Sequence, residues 1–241
     1  MNEATVRVAT WNLERKKPTS PTGRAGVAHL DSLEADVLVL TEGRRSFPAG
    51  DGHLVGAESW GDDDERKVVL WSRKPWRNVD QVGSPDLPPS RYVAATTDTP
   101  IGPVHVVGVC IPWHMANVVY GTRDRRPWED HIAYCNALRT LINDRRTSSP
   151  VLIAGDFNQR MTDPPRRGRD HWDALADCFK GLALPTAGVV PGWEREENDH
   201  IATGFLRAVD VQGWPNAIDG VRCSDHAGVM ADLAVHDRLA L

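Results

Sequence analysis

The stretch Val151-Leu152-Ile153-Ala154-Gly155-Asp156-Phe157-Asn158 decides the reading of this chain. Four apolar residues form a short strand, a glycine ends it, and an acid and an amide stand at its exit. Four more strand ends carry matching polar groups. Asn12 follows Val6 to Trp11, with Glu14 two residues on, and Glu42 follows Val37-Leu38-Val39-Leu40. Asp199-His200 opens Ile201-Ala202-Thr203, and Ser224-Asp225-His226 precedes Val229 to Val235. Side chains two apart on an extended chain point the same way, so Asn12 pairs with Glu14, and Asp156 with Asn158, if both stretches stay extended. Each motif alone reads more simply as a turn, a solvated strand end or a hydrogen-bonded loop. Five of them, in this order, point to one polar site at the ends of strands.

Around these motifs, strands alternate with a few helices. Thr5 to Trp11, Asp36 to Thr41, Arg66 to Ser72, Trp76 to Val82, Tyr92 to Thr97, Val104 to Ile111 and Val151 to Ala154 read as strands separated by Pro, Gly and Asp clusters. Gly23 to Ala35 carries Val27, Leu30 and Leu33 at helical spacing, and Glu129 to Arg146 carries an apolar stripe of Ile132, Cys135, Leu138, Leu141 and Ile142. A further helix is expected over Asp170 to Lys180. Two strand-rich halves with few helices imply two sheets packed face to face.

Composition narrows the function. The 241 residues, 41% hydrophobic and 25% charged, suffice for one large α/β domain. No apolar run is long enough to span a membrane, and the N-terminus lacks a signal-peptide pattern, so a cytoplasmic protein, or one already processed, is expected. Its Arg-rich, Lys-poor basic set hints at a GC-rich bacterial genome. Cys110, Cys135, Cys178 and Cys223 are scattered, which argues for buried thiols over a structural zinc site. The net charge of −5 gives no bulk attraction to nucleic acid and leaves that task to local patches. Arg123, Arg125 and Arg126 form one candidate, and Arg166, Arg167 and Arg169 another; both also read as solvated loop charge.

Trp11-Asn12-Leu13-Glu14, Leu40-Thr41-Glu42, Gly155-Asp156-Phe157-Asn158, Asp199-His200-Ile201 and Ser224-Asp225-His226 together resemble the endonuclease/exonuclease/phosphatase superfamily, the deoxyribonuclease I-like proteins. The resemblance runs from Val6 to Val235. It implies an α/β fold, a four-layer α/β/β/α sandwich of two packed mixed sheets with outer helices, as a single domain over 1–241. It also implies a site in loops at one edge of the paired sheets. The implied activity is Mg2+-dependent hydrolysis of phosphodiesters by water, with Mn2+ as a substitute ion and nucleic acid as the substrate. The alternatives are a phosphatase or phosphodiesterase of a small soluble or lipid-derived ester, and, less favoured, a non-catalytic binding protein on the same fold.

The chemistry suits these residue types. Attack on an anionic ester needs charge compensation, which a hard cation on carboxylates supplies. By resemblance, Glu42 is the main ligand, with Glu14 as partner and Asp225 facing the ion or its water. Glu14 reads equally as a surface acid beside Arg15 and Lys16. Asp156 matches the water-orienting acid, Asn12 and Asn158 would donate to phosphate oxygens, and Asp199 would pair with His226 to keep its imidazole charged. His200 reads as a packing residue. At the end of Val109-Cys110-Ile111-Pro112, where relatives place a Tyr or an Asn-Thr-His, His114 is the nearest proton donor and Trp113 a substrate contact, while nothing marks Cys110 as a nucleophile. Arg44, two after Glu42, resembles a groove-contacting arginine, and Arg166 and Arg167 are taken as substrate-binding. Gly192-Trp193 stands further from Asp199 than the abasic-site relatives' spacing, which weighs against an abasic pocket, as does the acidic stretch between them.

Overall fold

Strict two-residue alternation along the strands sorts the interior into separate apolar layers. In the computed structural model, which describes residues 3–47, 50–59, 64–118, 125–143 and 149–236, the strands fall into two main sheets. The first contains β1 (Val6–Asn12), β2 (Val37–Arg44), β3 (His53–Gly56), β4 (Glu65–Ser72), β10 (Leu206–Trp214) and β13 (Gly228–Val235), in the order β10-β13-β1-β2-β4-β3. The second runs β5-β6-β7-β8-β9, from β5 (Arg77–Asp80), β6 (Tyr92–Thr99), β7 (Gly102–Cys110), β8 (Val151–Asp156) and β9 (Asp199–Gly204). A small hairpin of β11 (Ala217–Ile218) and β12 (Val221–Arg222) stands apart. Each main sheet is mixed: β1 pairs parallel with β2 and antiparallel with β13, and β7 pairs parallel with β8, which pairs antiparallel with β9.

Three clusters fill the spaces between layers. Val8, Val39, Val68 and Leu70 of the first sheet meet Val93, Val106, Leu152 and Ile201 of the second. The outer face of the first sheet, with Ala9, Trp11, Leu38 and Leu40, packs on Leu30 of α1 (Pro21–Ser32). The outer face of the second, with Val107, Val109, Val151 and Ile153, packs on Tyr134, Leu138 and Ile142 of α2 (Glu129–Asn143) and Leu175 of α3 (Asp170–Cys178). The layer order is thus helix, sheet, sheet, helices, as expected. Burial of each such Val, Leu or Ile contributes roughly 1.5–3 kcal/mol. All four cysteines are buried and unbridged.

Local signals set the helix starts. Ser20 caps α1, its Oγ accepting from the Gly23 amide at 3.0 Å, with Pro21 in the first helical turn. Glu129 opens α2 and accepts from the Arg126 amide at 2.9 Å. The expected end of α2 at Arg146 falls outside the described residues. Helix α3 ends at Cys178, short of Lys180. The short strand β3 and the long edge strand β10 have no counterpart in the pattern reading; both are half-exposed segments without an apolar run.

This topology places the site. β1 and β2 run parallel, as do β7 and β8, and β9 and β13 run against their neighbours. The carboxyl ends of β1, β2 and β8 and the starts of β9 and β13 therefore lie along one edge of the sandwich. Gly155 is required there: its φ is +138°, and a Cβ would stand 1.9 Å from the Val109 carbonyl oxygen. It lets β8 lie close to β7 one residue before Asp156.

Candidate active site

Asp156 ends β8 directly opposite Asp199, the first residue of β9, so two carboxylates face one another across a strand pair. Asp199 is fully buried and Asp156 almost so. Nδ1 of His226 lies 2.6 Å from Asp199 Oδ2. Single ligand atoms of Asp156, Asp199 and His226 lie within 4.8 Å of one another. Burial works against a charged His226, but Asp199, then Asp156 and Asp225, outweigh it and raise its pKa to about 10. Burial, then the Asp199 charge, pushes Asp156 up to about 7, against the pull of His226 and of the Asn158 and Asn12 donors. Held as an imidazolium by Asp199, His226 can donate a proton into the site from this trio.

The amides converge on Asp156. Its Oδ2 accepts from Asn12 Nδ2 at 3.0 Å and Asn158 Nδ2 at 2.9 Å, and its Oδ1 accepts from the Asn158 amide at 2.8 Å. The second Asn158 Nδ2 contact goes to the Ile111 carbonyl at 2.9 Å. Neither motif stays extended: φ is +47° at Glu14 and +54° at Asn158. Asn158 meets Asp156 by folding back, as Asx turns do. Glu14 instead donates its amide to Asn12 Oδ1 at 2.9 Å, while its carboxylate lies 3.1 Å from Lys16 Nζ. The loops around His226 are stitched down from behind: Ser224 Oγ donates to the Asn12 carbonyl at 2.5 Å, and Trp11 Nε1 donates to the His226 carbonyl at 2.8 Å.

Across the cavity stands Glu42, with a left-handed φ of +46° near the end of β2. Its Oε1 is 2.7 Å from Lys67 Nζ and its Oε2 is 3.2 Å from Arg15 Nε. Burial opposes its charge, yet Lys67 and then Arg15 hold its carboxyl below the usual range. An ionised carboxylate sharing a cavity with Asp225 and the Asn12 amide offers hard oxygen donors, which fit a magnesium-like ion. Glu42, Asp225 and Asn12 are the residues that would hold it.

The cavity enclosed by these groups has a volume of about 910 Å³ and is lined by Asn12, Glu42, Asp156, Asn158, Asp225 and His226. Trp113, 37% exposed, forms part of its rim. Its ring meets His114 edge-on at 5.0 Å, His114 leans on Trp128 at 5.5 Å, and Trp128 stacks on His171 at 3.9 Å and 9°. His114 therefore stands on the outer lip, where it does not line the cavity.

Other expected residues lie elsewhere. Arg44 is buried, with Nη2 2.5 Å from Glu65 Oε1 and Nη1 3.5 Å from Asp64 Oδ2, and it does not line the cavity. Arg166 and Arg167 are exposed on the loop before α3, away from the lining. Arg123 lies outside the described residues, and Arg125 pairs with Glu129 at 2.8 Å. His200 is fully buried, its ring nitrogens near the Thr186 and Gln159 carbonyls. Within the acidic stretch, Glu196 turns inward and accepts from the Met161, Thr162 and Gly188 amides, and Glu197 accepts from Trp193 Nε1 at 2.6 Å. Part of that charge is thus internal and does not face a ligand.

Arg15, Lys67 and Arg91 line the cavity without having been expected there, and Cys110, at the strand end where relatives place a Tyr, lines it as well. Arg91 Nη1 donates to the Cys110 carbonyl at 2.9 Å, and burial pushes the Cys110 thiol up to about 12, so it forms wall and not nucleophile. Lys67 hides in Glu65-Arg66-Lys67, which reads as a solvated strand start. The available signal was its strand partner: β4 pairs antiparallel with β2, the strand that carries Glu42.

Among curated proteins, no sequence matches this one. Solved structures do. A humanized D. rerio TDP2 superposes with a TM-score of 0.70 at 13% identity, covering 96% of this chain and 99% of that one. A variant of the 3' phosphatase NExo from Neisseria, bound to a product DNA hairpin, gives 0.66 at 21%, covering 94% and 98%. The endonuclease domain of TRAS1, a telomere-specific non-LTR retrotransposon, gives 0.61 at 17%, covering 97% and 100%. At these identities the likeness is one of fold. The sequence profile of the Endonuclease/Exonuclease/phosphatase family matches residues 9–226, a span reaching from β1 to His226, and the chain belongs to that family.

Proposed function

We propose that this protein is a divalent-metal-dependent phosphodiesterase that hydrolyses nucleic acid by direct water attack, with Mg2+ as the ion and Mn2+ as a substitute. Members of its family are hydrolases of phosphoesters and generally depend on a divalent metal. The observation that carries the reading is the placement of Glu42 in one cavity with Asp156 and the Asp199–His226 pair.

Each residue then has a task. When bound at Glu42, Asp225 and Asn12, the ion would neutralise phosphate charge and lower the pKa of its water. Asp156 takes the proton of the attacking water, its carboxylate held in place by Asn12 and Asn158. With a pKa near 7, it is well matched to accept a proton at neutral pH. His226, kept cationic by Asp199, donates to the phosphate oxygen on which charge builds. Glu14 belongs to the support of the Asn12 turn, through its amide.

The ring series from Trp113 to His171 supports a nucleic-acid substrate, since exposed aromatic rims stack bases without regard to sequence. Arg166, Arg167 and Arg169, exposed on one loop, would add backbone contacts. A second reading, a phosphatase of a small ester, draws on the three cations Arg15, Lys67 and Arg91 at the cavity wall, which suit a doubly charged phosphate.

The deciding experiment is a panel of DNA, RNA, abasic DNA, mononucleotide and phospholipid substrates with magnesium. Oligonucleotide cleavage ahead of mononucleotide hydrolysis is expected. Turnover of mononucleotides or phospholipid alone would replace this reading with the second.

A further inference from the structure

Glu42 has both carboxylate oxygens occupied by cations, and the two cations differ. Lys67 Nζ stands 2.7 Å from Oε1, and its side chain is only 6% exposed on β4. Arg15 Nε stands 3.2 Å from Oε2, and its side chain is 48% exposed on the loop after β1. That loop is aimed by its backbone: Glu14 and Arg15 both have left-handed φ, and the Arg15 amide donates to the Glu42 carbonyl at 2.8 Å. Both side chains line the same cavity as Asp156 and His226.

A divalent ion bound at Glu42 would stand beside a cation on either oxygen, and the charge repulsion favours displacing one of them. Releasing Lys67 would strand a buried charge, which is costly. Releasing Arg15 opens a longer, solvent-exposed contact, which is weak. The guanidinium that leaves Oε2 remains at the cavity wall, where its planar fork matches phosphate oxygens.

We propose, on the basis of the metal-dependent reading above, that Arg15 is an exchangeable counter-ion: it holds one oxygen of Glu42 in the free protein and passes to the phosphate of the ligand when a divalent cation takes that oxygen, while Lys67 keeps the other. Metal and anion binding are then coupled through one side chain, and by linkage each tightens the other. The arrangement keeps the centre weak for metal until an anionic ester arrives.

The test is Mn2+ binding to the intact chain, read from the free-ion signal in electron paramagnetic resonance, with and without inorganic phosphate. No turnover is involved. Wild-type protein should bind Mn2+ more tightly in phosphate. Arg15→Gln should bind Mn2+ about two- to fivefold more tightly than wild type without phosphate, as expected on removing an exposed competing pair. It should also gain clearly less from phosphate than wild type. An Arg15→Gln protein with unchanged Mn2+ affinity, or with undiminished phosphate enhancement, overturns the exchange. Glu42→Gln separates this from the underlying reading: if it binds Mn2+ as well as wild type does, the assignment of the metal to Glu42 falls, and the exchange with it.

Discussion

The two walls of the cavity are built on opposite principles. The wall at the end of β8 is a buried hydrogen-bond network: Asp156 accepts from the Asn12 and Asn158 amides, and buried Asp199 pairs with the His226 imidazole. The wall at the end of β2 is a charge cluster, in which Glu42 lies between Lys67 and Arg15 and borders solvent. A buried network is rigid and costly to disturb, whereas half-exposed ion pairs exchange readily. Under the proposed function, this difference would give proton transfer to the first wall, where position matters most, and ion and substrate capture to the second, where partners must come and go.

The largest effect should come from the first wall. Asp156→Asn should lower kcat on an oligonucleotide by about 10²–10⁴-fold, the usual range for a lost general base, with a melting temperature close to wild type. Activity within tenfold of wild type would show that the buried network is structural only.

Next comes the link between Asp199 and His226. If Asp156 works as the carboxylate and His226 as the imidazolium, activity should rise with pH through about 7 and fall through about 10. Asp199→Asn removes the chief source of the raised His226 pKa, so the falling limb should move down towards the ordinary histidine value of about 6.5, where kcat is also reduced. The stability sign follows from the same shift. A histidine whose folded pKa is raised stabilises the fold fully below its unfolded value and loses that contribution as pH rises through about 10. The melting-temperature gap between wild type and His226→Gln should therefore close between neutral and strongly alkaline pH. A gap that ignores pH would place His226 outside the ion pair.

The rim sharpens the contrast from the substrate side. Trp113→Ala should raise KM for single-stranded oligonucleotides by about 5- to 150-fold, the range for one lost base stack, and leave a small phosphodiester unaffected. Equal effects on both would make Trp113 a wall residue. The smallest effect is expected from Arg166, Arg167 and Arg169 replaced together by Ala: a modest loss of oligonucleotide cleavage with a flatter salt dependence. An unchanged salt slope would remove that loop from the substrate path.

The two walls were not equally legible in the sequence. Gly155-Asp156-Phe157-Asn158, Asp199 and Ser224-Asp225-His226 carry the first wall in contiguous motifs, and strand ends alone bring them together. Glu42 was legible for the same reason, as the acid closing an apolar run. Its surroundings were not. Alternation assumes extended backbone, and the left-handed turns at Glu14, Arg15 and Glu42 break it, sending Glu14 to Lys16 and Arg15 to Glu42. Lys67 and Arg91 belong to no motif and enter through sheet pairing, which one-dimensional spacing does not encode. Arg44 sits at a suggestive spacing, but its acidic neighbours Asp64 and Glu65 come from β4 and the segment before it, and they hold it inside. The strand-rich halves suggested two packed sheets and the family resemblance supplied the four-layer order, while the short β3 and the largely exposed β10 had no apolar run to announce them.

The most direct test of the account is hydrolysis of an activated phosphodiester by wild-type and Glu42→Gln protein, stripped with EDTA and then titrated with magnesium. The account predicts no turnover after stripping, full recovery in wild type, and a large loss in Glu42→Gln that excess magnesium only partly repairs. Metal-independent turnover, or identical magnesium curves for the two proteins, would contradict it.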